Sequence, residues 1–207
     1  NALTDYRVKD TIQWPYCFDR EVVLKSQYSA ANDPSFKIDR FYKGADDDGN
    51  QILDRDRLKI NNVEIQIAPD RATALDPDNI DIYSARIMGG KGRVYFYKED
   101  TFGDGRDNET MELDFTGTRE YGVAPQSYSN GKPVPATRTL SYWTKYDMSK
   151  SKVAPRTSYC NRMILQPQQP YTKGDVAEGI AIGKDGNPVT DSDVHPDGIL
   201  SVACVSV

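Results

Sequence analysis

Hydrophobic and polar positions alternate most plainly between Arg93 and Gly117. Val94 and Phe96 share one face of an extended segment, and Tyr95 and Tyr97 share the other. Further on, Met111, Leu113 and Phe115 alternate with Glu112 and Asp114. A period of two is the signature of a strand, and the second run predicts a strand with one wet face. The tract Asp100 to Asn108 is rich in Gly, Asp and Asn, the residues that build turns. The pattern predicts a β-hairpin with a long tip, onto which the rest of the chain builds.

Two further extended segments precede it. Val63, Ile65 and Ile67 alternate with Glu64 and Gln66, and an apolar run from Ile80 to Ile87 ends at Gly89-Gly90. Four extended segments between Leu58 and Gly117, separated by turns, predict an antiparallel meander. Nearer the start, Asp19 is placed to cap a short helix over Arg20 to Ala31, but Val22, Val23 and Leu24 are contiguous, which fits a strand equally. Beyond Gly117, prolines at 125, 133, 135, 155, 167 and 170 interrupt the pattern. Thr137 to Tyr146, Val176 to Gly183 and Ile199 to Val207 remain as candidate strands. The fold class is therefore mainly β, α+β at most, in a single domain: an N-terminal segment with an acidic loop (1–57), an antiparallel sheet (58–117) and a long irregular C-terminal region (118–207).

Composition narrows the function. Across 207 residues the hydrophobic content is 38%, with thirteen Tyr against six Phe and a net charge of −5. Interspersed charge without a basic stripe argues against nucleic-acid binding. No apolar run approaches the ~20 residues of a membrane-spanning helix. The first residue is Asn1 rather than Met, and the Asn, Gly, Tyr and Pro content reads as that of an exported chain. In that setting a bridge between Cys160 and Cys204 is expected, leaving Cys17 over; three buried thiols are the alternative.

Candidate chemistry is sparse. His195 is the only histidine, in a Val194 to Gly198 turn, and no nucleophile elbow, zinc-protease helix or phosphate loop occurs. The chain is expected not to be an enzyme. Asp46 to Asn50 opens like an EF-hand loop, but Arg55 falls where the bidentate Glu belongs. Asp185, Asn187, Asp191, Asp193 and Asp197 crowd the cysteine-bracketed segment and are candidate calcium ligands, with solvated turns as the alternative. Asn108-Glu109-Thr110 fits the glycan-acceptor triplet, a pattern common by chance.

An antiparallel meander followed by an irregular region bracketed by Cys160 and Cys204 resembles the globular head of a type IV pilin. Heads of that family close a C-terminal loop with a disulfide, and some bind calcium there. Pilins begin with a long apolar helix, which Asn1 to Ala31 cannot be; the chain is similar instead to the separate head of a two-chain pilin. The resemblance implies a structural, extracellular role, exported through the periplasm, in complex with a short helical pilin chain and neighbouring copies. Trp14, Tyr16, Val22 and Val23 are then the expected docking residues. A secreted carbohydrate-binding or adhesive β-domain is the competing expectation, with Trp14, Tyr142 and Trp143 as rings for stacking on sugars.

Overall fold

The computed structural model describes residues 6–26, 36–116, 127–129, 132–134, 138–150, 158–167, 194–195 and 198–206. Its strands are β1 (Tyr6–Ile12), β2 (Tyr16–Ser26), β3 (Ile38–Ala45), β4 (Gln51–Ile60), β5 (Val63–Gln66), β6 (Ser84–Ile87), β7 (Gly92–Glu99) and β8 (Asn108–Asp114). They continue as β9 (Ser127–Ser129), β10 (Lys132–Val134), β11 (Arg138–Tyr146), β12 (Ser158–Pro167), β13 (Val194–His195) and β14 (Gly198–Ser206). Two short helices, α1 (Arg71–Leu75) and α2 (Ile80–Tyr83), link β5 to β6. The fold is mainly β and antiparallel, as the alternation predicts.

The largest sheet has seven strands in the order β13-β14-β12-β1-β8-β7-β6. The hairpin read from Arg93 to Gly117 is β7 and β8, with Val94 opposite Leu113 and Phe96 opposite Met111. The four-segment meander is corrected, because only β6, β7 and β8 run consecutively in this sheet. Asn61 and Asn62, at φ 46° and 68°, form the two-residue turn that folds β5 back onto β4. Left-handed backbone at both central positions suits Asn and matches the twist of the flanking strands. That hairpin joins β3 in a sheet of its own. Asp70 then caps α1, its carboxylate accepting the Thr73 N–H at 2.7 Å, and the chain crosses to β6 through Ile80–Tyr83 as a helical turn rather than a strand.

The N-terminal segment enters the sheets rather than standing apart from them. β1 lies between β8 and β12, with Val8 opposite Leu113 on one side and Leu165 on the other. Arg20 to Ser26 belongs to β2, which pairs with β11; of the two readings of that segment the strand is correct.

Each register position assigns a face. Val94, Phe96, Met111, Leu113 and Ile12 point toward β2, β11 and the β3–β4–β5 sheet, where Phe18, Val22, Phe36, Leu58, Ile60 and Ile65 complete the main core. On the opposite face, Tyr95 and Tyr97 pack with Ala68 and Ala74 under the helices. The sheet is thus buried on both sides near its centre, and the expected wet face of β8 is corrected: Glu112 is fully enclosed.

Candidate functional site

Burying charge is costly unless it is paired, so the enclosed carboxylates are the first places to look for chemistry. Glu112 lies on the helix-covered face of β8. Arg71 of α1 grips both its oxygens, Nε to Oε1 at 2.9 Å and Nη2 to Oε2 at 3.2 Å. Arg7 donates to Oε2 at 3.3 Å and the Tyr97 hydroxyl to Oε1 at 2.9 Å. Burial and the Glu112 charge push the Tyr97 phenol well above its ordinary range, so it remains a donor. Beside this group the hydroxyls of Thr11 and Thr110 meet at 2.8 Å.

Glu109 lies on the core face of the same strand. Arg40 Nη1 and Nη2 reach its two oxygens at 3.1 Å each, and the Phe18 N–H donates to Oε1 at 3.1 Å. Burial works against the Arg40 cation, but the Glu109 carboxylate outweighs it and holds the guanidinium above its ordinary pKa. The Cys17 thiol is buried nearby; burial, and next the Glu109 charge, push it up to about 12, which keeps it protonated and a poor nucleophile at neutral pH. Saturated with donors and enclosed, Glu109 and Glu112 tie strands together rather than face a substrate. Nothing local announces them, since Arg40 and Glu109 stand 69 residues apart.

The expected docking residues do not share a surface. Val22 is fully buried in the main core, a correction that follows from β2 laying one face on that core while its residues alternate between faces. Val23 is half-buried on the other face of β2. Trp14 is also half-buried, its ring 4.6 Å from the Arg106 guanidinium and its backbone N–H donating to Asn108 Oδ1 at 2.8 Å. That bond, with the full burial of Asn108, takes the glycan-acceptor triplet out of reach. Tyr16 stands edge-on to both Tyr146 and Tyr159 at 5.2 Å.

The bridge between Cys160 and Cys204 is present, joining directly opposed positions of β12 and β14. The calcium candidates Asp185, Asn187, Asp191, Asp193 and Asp197 lie outside the described residues, as does the candidate strand Val176 to Gly183. Asp46 is committed to its own turn, accepting the N–H of Asp48 and Asn50 at 3.1 and 2.8 Å.

Two surface features remain. β14 is an outer strand, and among the described residues β13 pairs with only its first two positions, Gly198 and Ile199. Its nine residues carry no charge and no proline, the usual guards of an open edge, and Val202 and Val205 are 52% and 64% exposed on opposite faces. Met163 of β12 is exposed beside them, its register partner being Ser201. Separately, β11 divides its aromatic pair. Tyr142 packs edge-on against Phe18 at 5.0 Å, while Trp143, with register shifts on either side, is 66% exposed. Near the same end Lys145 lies against the Tyr42 ring at 4.7 Å.

No protein-family model, curated protein or solved structure matches the chain. Among the described residues no helix is long and apolar enough to cross a membrane.

Proposed function

We propose that the chain is a non-catalytic structural subunit of an extracellular filament, the globular outer part of a type IV pilus-like fibre, held by a short helical pilin chain and neighbouring copies. The observation that carries this reading is the strand Gly198–Ser206, which among the described residues is paired on its outer side only at Gly198 and Ile199, carries no charge, exposes Val202 and Val205 on opposite faces and is fastened to β12 by the disulfide. Open edges with these properties associate unless something covers them. Covering Val202 and Val205 contributes on the order of 1 kcal/mol each, since both are already partly shielded. The docking surface therefore moves from the N-terminal segment to the opposite end of the chain. The enclosure of Glu109, Glu112 and Cys17 favours a structural role over catalysis. The test is purification from surface-sheared native material followed by electron microscopy. Wild type enters filaments with a short helical chain, and the double variant Val202→Asp, Val205→Asp folds but stays out of them. Equal incorporation of the variant contradicts the reading.

The exposed Trp143 favours a second reading, a carbohydrate-binding or adhesive domain, because a ring held in solvent on a strand offers a face to a sugar. Glycan-array binding that disappears in Trp143→Ala and persists in the β14 variant decides for it.

A further inference from the structure

Among the ionisable groups on the core side of the large sheet, Asp10 is set apart from Glu109. It is 3% exposed, between Val8 and Ile12 on the face of β1 that meets the β2–β11 pair. Glu109 has Arg40; among the described residues Asp10 has no cation. Its Oδ1 has no hydrogen-bond partner. Its donors are the Tyr142 hydroxyl from β11 and the Asn161 amide from β12. Asn161 Nδ2 also donates to the Tyr142 oxygen at 2.6 Å, so the three side chains form one chain of bonds across the interface between the sheets.

We propose that Asp10, Tyr142 and Asn161 form a proton-operated latch, which holds the β2–β11 pair on the seven-stranded sheet more firmly once the Asp10 carboxyl takes up a proton. Oδ1 is enclosed without a donor, so an ionised carboxylate there leaves charge uncompensated, whereas the neutral acid removes that cost. Among the described residues the surroundings supply no countercharge. β8 presents Met111 opposite Asp10 and β12 presents Met163. Glu109, on the same face, is neutralised by Arg40, and Lys98 is taken by Asp56 at 2.8 Å. Tyr142 is the titratable group in direct contact, and burial, with the Asp10 charge next, holds its phenol protonated.

Burial raises the Asp10 carboxyl to about 6 from 3.8, against the lowering effect of Tyr142 and Asn161. The folded chain thus binds a proton that the unfolded chain has released. Stability from this group is complete below the unfolded value and is lost as pH rises through about 6. A shift of about two units corresponds to roughly a 100-fold change in the folding constant.

The experiment is chemical denaturation of wild type and Asp10→Asn from pH 4 to pH 8, read as the ratio of their folding constants. That ratio is expected to shift about 100-fold in favour of the variant as pH rises from the unfolded value of 3.8, levelling off above about 6. Tyr142→Phe, which removes a donor to the ionised form, moves the pH at which the ratio levels off higher. A ratio independent of pH, or a variant less stable than wild type at pH 8, overturns the latch. Should Asp10→Asn fail to fold, carbon NMR of the wild-type Asp10 carboxyl decides the matter: titration near 6 supports the latch, and titration at or below 4.5 overturns it.

Discussion

At the residue scale, Glu112 and Leu113 are neighbours that the alternation assigns to opposite fates, yet both are enclosed. Leu113 fills the main core, and Leu113→Ala is expected to cost about 2–5 kcal/mol through lost burial and the cavity left behind. Glu112→Ala is expected to cost a comparable 3–5 kcal/mol, because it strands the Arg71 guanidinium and the Tyr97 hydroxyl without their acceptor. On a wet face the same change would stay within about half a kcal/mol. Urea denaturation of the two variants checks this, and a negligible loss at Glu112 would mean that the charge cluster contributes nothing. The identity of the core residues was legible because period-two alternation reports which side chains share a face. That the polar face was buried as well was not legible. Its cover comes from α1, whose Arg71 lies 41 residues from Glu112, and ion pairing over that separation leaves no local pattern.

At the element scale, β7 and β8 were readable because their turn and their alternation are contiguous. β5 was readable as an extended segment, but β4 was not, because most of Gln51–Ile60 falls in the stretch read as an acidic loop, and the sheet that the two share was not legible either. Asn61-Asn62 marks a hairpin without saying which other strands it joins. The ambiguity over Arg20 to Ala31 has a physical origin too. Val22 and Leu24 are buried on the core face of β2 while Val23 is half-buried on the other face, so three consecutive apolar residues serve a strand covered on both faces and show no helical period. The cysteine bridge has its own consequence for β14. It closes a loop with a sequence separation of 44, for which constraint of the unfolded chain contributes ~4 kcal/mol in the entropy model. Cys204→Ser is expected to lower the unfolding free energy by up to that amount and to speed amide exchange in β14 first. Thermal unfolding together with exchange mass spectrometry reads both effects, and exchange that rises uniformly along the chain would contradict a local role.

At the scale of the whole molecule, the sequence conveyed the class and missed the centre. β1 pairs with β8 on one side and β12 on the other, contacts that span roughly a hundred residues and more. Strand order of this kind depends on which faces remain to be covered once hairpins have formed, and composition does not carry it. The consequence for function is direct. With β1 inside the large sheet and one face of β2 packed on the core, the chain's start is spent on its own core, and among the described residues β14 has no strand beyond it except at Gly198 and Ile199. Trp143 was legible as a candidate ring; its exposure depends on the register shifts that β11 makes with β2.

The measurement that bears most directly on the filament reading is hydrogen–deuterium exchange across Leu200 to Ser206, comparing the isolated chain with the chain in surface-sheared assemblies. Burial of the β14 edge by a partner predicts slow exchange there in the assembly and faster exchange in isolation, with the interior strands β1 and β8 unchanged. Identical exchange in the two states, with protection appearing instead around Trp143 when a glycan is added, would contradict the filament head and leave the sugar-binding domain standing.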